Sequence, residues 1–80
     1  MDHKRPKVIY KNLKNYWGWS DSLNNTIELS NKLKGKTHLK IIIHEHLHLI
    51  LPQYDEAHIK EMAKIMSDLL WHEGYRLEKK

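Results

Sequence analysis

The sequence predicts a small α+β domain, in which an antiparallel sheet of two to three strands precedes two α-helices. Residues 8–30 contain short runs rich in β-branched and aromatic residues, separated by turn formers. Residues 38–73 contain two stretches with apolar residues at three- and four-residue steps, interrupted by a proline. A chain of 80 residues has room for one small core, so residues 1–80 are predicted to form a single domain.

Alternation and turn residues define the strands. Residues 1–7 are polar and basic and are expected to form a loose arm. Residues 8–10 begin the first strand, and the alternating tryptophans of residues 15–21 indicate a second. Gly18, inside that second run, would mark a bulge or a close backbone approach. Residues 26–30 give the clearest strand, since they start with β-branched residues and place two apolar side chains on one face.

Capping residues and helix breakers define the two helices. Thr37 can cap the first helix, which is expected to run from about residue 38 to residue 51 and to stop before Pro52. Its wide apolar surface indicates a central, mostly buried helix. Asp55 is a good N-cap for the second helix, and Gly74 lies where a helix C-terminus favours glycine.

Composition excludes several classes of protein. The chain has no cysteine, so disulfides and thiolate zinc sites are excluded. Its hydrophobic share of 40% and charged share of 30% are typical of a folded domain rather than a disordered one. We find no secretory signal and no apolar run long enough to span a membrane, so a cytoplasmic location and no membrane partner are expected. The net charge of +4 is scattered, and nucleic acid is not the expected partner.

The histidines point to a bound metal. A core this small usually needs a disulfide, a metal or oligomerisation for stability, and the chain has seven histidines. Residues 44–48 contain the pattern His-Glu-x-x-His. On a helix, His44 and His48 lie on one face, one turn apart, where they can share a metal ion. Neutral imidazole suits Zn²⁺, and Glu45 beside the first histidine can act as a general base toward water.

A catalytic zinc site needs a third protein ligand, with the fourth position left for water. The candidates are Asp55, Glu56, His58, His72 and Glu73. The turn at Pro52 brings the start of the second helix near His48, which favours the first three of these. Glu56 is preferred because it shares an inward helix face with Ile59. The alternative for Glu56 is a first-turn carboxylate paired with Lys60.

The other histidines and the tryptophans are given no role in the site. The histidines expected to lie in solvent are His3, His38 and His46. The tryptophans expected to serve in core or rim packing, rather than as a binding platform, are Trp17, Trp19 and Trp71.

Taken together, these motifs resemble small zincin-type metallopeptidase domains, particularly minimal ones encoded by phages and mobile elements. The resemblance covers residues 17–77 and includes the glycine-bearing strand, the His-Glu-x-x-His helix and the Asp-Glu start of the second helix. It implies a zinc site with His44 and His48 as ligands, Glu45 as general base and a nearby glutamate as third ligand, as in gluzincins. It also implies that an edge strand near Ile27 holds an extended peptide by strand addition.

The predicted function is a zinc-dependent hydrolase, a minimal metallopeptidase. The alternatives are a metal-stabilised binding module without catalysis and a metal-dependent nuclease. Glu45 favours the hydrolase because a structural site needs no base beside the metal, and the scattered lysines argue against the nuclease. Few residues remain to shape a cleft, so we expect peptidase activity to be slow and narrow, or to depend on a partner protein or on self-association.

Overall fold

A computed structural model describes residues 4–77, in which three strands are followed by two helices. The strands are β1 (Lys7–Lys11), β2 (Gly18–Asp21) and β3 (Thr26–Ser30), and the helices are α1 (Gly35–Ile50) and α2 (Glu56–His72). The predicted α+β class and the order of its elements are confirmed. Within the described residues, neither helix combines the length and the apolar character that crossing a membrane requires.

The sheet is mixed rather than antiparallel throughout, which corrects the prediction. Its strand order is β1-β3-β2, with β3 parallel to β1 and antiparallel to β2. The reason lies in residues 12–17, which carry the chain past the end of β3 instead of turning back beside β1. Two backbone hydrogen bonds hold this crossing, from Ser30 N to Trp17 O and from Asn31 N to Lys11 O, both at 2.8 Å.

This strand order makes different strands the edges of the sheet from the one that the sequence predicted. The strand that contains Ile27, expected to be an edge, is central and paired on both sides, so that expectation is wrong. The edges are β1 and β2, and of these two only β2 has its backbone close to α1. An unpaired strand edge beside the His-Glu-x-x-His helix therefore exists, but β2 provides it.

Helix α1 lies between the sheet and α2, as predicted for a central helix. One side of it packs on the buried residues of the sheet layer, which are Ile27, Leu29 and Leu33. Its other side supplies Leu47 to a second cluster with two residues of α2, Ile59 and Ala63. Because α1 contributes to both clusters, its rotation about its own axis is fixed, and so is the direction in which its polar side chains point.

The start of α1 differs from the prediction by about one turn. Lys34 occupies the N-cap position without a capping side-chain hydrogen bond, and Thr37 lies inside the helix. The chain turns into the helix at Gly35, whose φ of +60° is in the left-handed region that glycine adopts freely. The α2 boundaries agree with the prediction: Asp55 is the N-cap, and Gly74 follows the last turn with a φ of +93°.

Some side chains are placed differently from expectation. His38 is 8% exposed rather than solvated, and its Nε2 shares a hydrogen bond of 2.8 Å with the Tyr10 hydroxyl. His46 is exposed, as expected, whereas His3 lies outside the described residues. Pro6 is buried and Lys7 begins β1, so the described part of the predicted arm is limited to residues 4 and 5.

The tryptophans lie at the rim of the molecule. Trp17 and Trp19 are each 55% exposed, so neither belongs to the buried core. Trp71 is half-buried, and the guanidinium carbon of Arg76 lies 3.4 Å from the centre of its ring. This stacking satisfies the geometry of a cation–π contact and ties residue 76 to the end of α2.

Candidate metal centre

His44 and His48 present their imidazoles at the same point on α1. Their Nε2 atoms are 3.2 Å apart, and their ring centroids are 4.9 Å apart. Both side chains are largely sheltered, with exposed fractions of 16% and 25%. The neighbouring Ile43 and Leu47 pack against α2, which orients the helix so that the two histidines face the start of that helix.

Glu56 is the residue of α2 that meets the two histidines. Its Oε1 lies 2.6 Å from His44 Nε2, and its Oε2 lies 3.0 Å from His48 Nε2. The position follows from the N-cap, because the Asp55 side chain accepts a hydrogen bond from His58 N at 2.9 Å and fixes the first turn. Asp55 also contacts His58 Nδ1 at 2.7 Å, so these two alternative ligands are engaged with each other.

The separations within this group fit a metal ion. Within residues 4–77, His44, His48 and Glu56 are brought together so that one ligand atom from each lies within 4.8 Å of the others. Two atoms bound to one tetrahedral ion at about 2.0–2.1 Å are roughly 3.3 Å apart. The contacts of 3.0 and 3.2 Å are close to that value, and the 2.6 Å contact between His44 and Glu56 is shorter than it. The group could therefore hold a metal ion after small side-chain shifts.

Glu45 lies beside this group on the side of the sheet. The Ser20 side chain of β2 and the imidazoles of His44 and His48 lie near its carboxyl group. Burial raises the pKa of the Glu45 carboxyl, and the two histidines and the Ser20 hydroxyl offset only part of that rise. A raised pKa makes the ionised carboxylate a better proton acceptor, and the described metal group does not include it.

Strand β2 packs closely against the Glu45 side chain. A Cβ atom on Gly18 would lie 3.0 Å from Glu45 Cγ, 3.0 Å from Ile41 Cγ2 and 3.2 Å from Glu45 Oε2. The close backbone approach suggested for Gly18 is therefore present, and it is made to the residue expected to be the base. Ser20 was missed by the sequence analysis, because nothing in the local pattern shows which side chain faces α1.

Replacing Gly18 with alanine is expected to destabilise the fold and to displace the Glu45 carboxylate. The added methyl group overpacks the contact between β2 and α1, which should cost about 1–3 kcal/mol and lower the melting temperature by at least about 4 °C. Zinc affinity should remain within about threefold of wild type, since the atoms nearest to the added methyl group belong to Glu45 and Ile41 and not to a proposed ligand. An unchanged melting temperature in a thermal denaturation series would show that β2 does not pack this closely on α1.

Comparison of the chain with protein-family models, with curated protein sequences and with solved structures finds no match. The resemblance to small zincin-type domains therefore rests on the motifs of residues 17–77. The geometry itself supports a coarser statement, that this α+β domain carries a group of two histidines and a glutamate able to hold a metal ion.

Proposed function

We propose that the chain is a zinc-dependent hydrolase, a minimal metallopeptidase. The observation that carries this proposal is the meeting of Glu56 with His44 and His48, while a second, partly buried carboxylate, that of Glu45, stands beside them. Two imidazole nitrogens and one carboxylate oxygen form a ligand set that suits Zn²⁺ and leaves its fourth position open. A group built only to hold a metal would have no use for the second carboxylate.

Different residues of the chain have different roles in the proposed hydrolysis. His44, His48 and Glu56 would hold the zinc, which when bound polarises the scissile carbonyl. Glu45 takes a proton from the attacking water and passes it to the leaving amine. The close approach of Gly18, with Ser20 nearby on the same strand, restricts the orientation of the Glu45 carboxylate, so the proton acceptor is in place before the substrate arrives.

The substrate would lie along β2 in an extended conformation. This strand has one edge paired with β3 and one edge without a strand partner among the described elements. A peptide added there would form backbone hydrogen bonds and pass beside Glu45, since Gly18 and Ser20 belong to the same strand. The role assigned above to a strand near Ile27 is thus transferred to β2.

A metal-stabilised binding module is the rival from another class of function. In that case the metal would link α1 to α2 and would take no part in catalysis. The partly buried carboxyl of Glu45 speaks against it, because partial desolvation of a carboxylate costs free energy from which a purely structural site gains nothing. The two functions differ in one measurable respect, which is turnover.

The test is a peptide-library digestion with the zinc-loaded chain, followed by mass spectrometry. We expect cleavage that stops with a chelator and returns with zinc. His44→Ala should lose both the zinc and the cleavage, whereas His46→Ala, an exposed position on the same helix, should keep both. Stoichiometric zinc without cleavage of any peptide would favour the binding module, and equal zinc loss in the two variants would place the metal elsewhere.

Replacing Glu56 with glutamine is expected to weaken zinc binding by at least about 100-fold, since even losing a hydrogen-bond partner of a ligand costs about 10–100-fold. The matched control is Glu73→Gln, an exposed residue just after α2, which should bind zinc as wild type does. Affinities are measured by competition with a chromophoric chelator. Unchanged affinity in the Glu56 variant, with a loss in Asp55→Asn or His58→Ala, would assign the third ligand to one of those residues.

A further inference from the structure

A groove between the two helices starts at the candidate metal centre. Helices α1 and α2 run antiparallel, so that Lys36 near the start of α1 pairs with Asp68 near the end of α2. Next to His44 the groove encloses about 420 Å³. Its other lining residues are Lys40, Ile41, Ala57, Lys60, Glu61 and Lys64.

The charges across this groove change from opposite to like as it approaches His44. At the far end, Lys36 of α1 faces Asp68 of α2. One helical turn closer to His44, the corresponding positions are Lys40 and Lys64, so both walls are cationic. Among the described residues, no ion pair involves Lys40, Lys60 or Lys64. Three lysines against one glutamate leave this part of the groove with an excess of two positive charges.

We propose that this groove binds a carboxylate of the substrate, so that the chain acts on acidic peptides. The inference deepens the proposed function and rests on it. Like charges that converge on a concave surface repel one another, and an anion between them relieves that repulsion. Since His44 lines the same groove, a carboxylate held there belongs to a residue near the scissile bond.

The groove suits a peptide better than a nucleic acid. Its volume is small enough for one or two side chains, and Ile41 and Ala57 provide apolar surface for the methylene groups of an acidic side chain. Glu61 on the same wall would repel a continuous phosphate backbone, whereas a single carboxylate can bind among the lysines and avoid it. The carboxylate could come from a side chain or from the C-terminus of the peptide.

The experiment measures binding of four fluorescent peptides by anisotropy. They share one sequence but carry Glu or Gln at one position and a free or an amidated C-terminus. The protein is the zinc-loaded full chain with Glu45→Gln, which prevents turnover during the measurement. We expect peptides with a carboxylate to bind about tenfold more tightly than the peptide with none at low salt. The two single-carboxylate peptides identify its source, and the preference should shrink in 1 M salt, where the Debye length is about 3 Å.

Two lysine variants separate a site from general attraction. Lys40→Gln/Lys60→Gln/Lys64→Gln should abolish the preference for a carboxylate. The control is Lys7→Gln/Lys14→Gln/Lys32→Gln, which removes the same charge from exposed positions outside the groove and should keep the preference. Equal affinity for all four peptides, or equal loss in both variants, would overturn the proposal. The four-peptide comparison is made on the protein with all its lysines, so it decides even if a variant folds poorly.

Cleavage by the chain with Glu45 intact distinguishes this inference from the proposed function. Preferential binding of acidic peptides without cleavage would contradict the proposed hydrolase function and support the proposed carboxylate site in the groove. Cleavage of all four peptides at equal rates, with equal binding, would support the hydrolase function and contradict the proposed carboxylate site in the groove. A further outcome is that a single-stranded oligonucleotide displaces the acidic peptide and loses affinity in the groove variant only. That result would overturn the proposal, because it would show that the groove binds a nucleic acid rather than an acidic peptide.

Discussion

Replacing Glu45 with glutamine is expected to leave zinc bound and to slow peptide hydrolysis by about 100-fold to 10,000-fold, the range that general-base catalysis typically supplies. The amide has nearly the same shape as the carboxylate, so the contacts with Gly18 and Ser20 can remain. It cannot accept the proton of the attacking water. The expected change is therefore in kcat, with the metal content and the melting curve kept close to wild type.

Glu73→Gln is the matched control for this experiment, because it removes the same charge from an exposed position after α2. Zinc content is measured on the same samples as cleavage. Loss of zinc in the Glu45 variant would mean that Glu45 is a ligand and that the roles of the two glutamates are exchanged. Full activity with full zinc content would place the proton acceptor elsewhere in the chain.

The metal group illustrates how far local sequence patterns reach. The spacing of His44 and His48 fixes their common face as soon as α1 forms, so it could be predicted from the sequence alone. The prediction of Glu56 depended in addition on the short turn after α1 and on the N-cap at Asp55, which together place the start of α2. Both inferences depend on contacts between neighbours along the chain, which is why the structure brings the same three residues together.

Non-local pairing explains what the sequence analysis missed. Whether β1 runs parallel or antiparallel to β3 depends on the path of residues 12–17, and no turn signal marks that path. His38 is buried because β1 places Tyr10 beside it, although the two residues are far apart in sequence. The contact of Ser20 with Glu45 has the same character, since it depends on which edge of the sheet meets α1.

Removing the metal is expected to destabilise the whole domain, and by more than Gly18→Ala does. The described core has only six buried hydrophobic residues, divided between two clusters. Helix α2 packs on α1 and on no other described element, so the metal would cross-link it to the rest of the domain. With free zinc about 1,000-fold above its Kd, binding stabilises the fold by about 4 kcal/mol. For a domain of this size, that corresponds to a rise in melting temperature of roughly 15–30 °C.

Thermal melts with a chelator, and again after zinc is restored, measure this effect. His44→Ala controls for direct action of the chelator, because its melting temperature should be low and should respond to neither reagent. His46→Ala should respond to zinc as wild type does, since His46 is exposed and does not belong to the metal group. A chain that binds one zinc without a change in melting temperature would have a metal that does not stabilise the fold. If it still cleaved peptides, the proposed hydrolase would stand, and the packing around Leu47, Ile59 and Ala63 would be enough to hold α2 on α1.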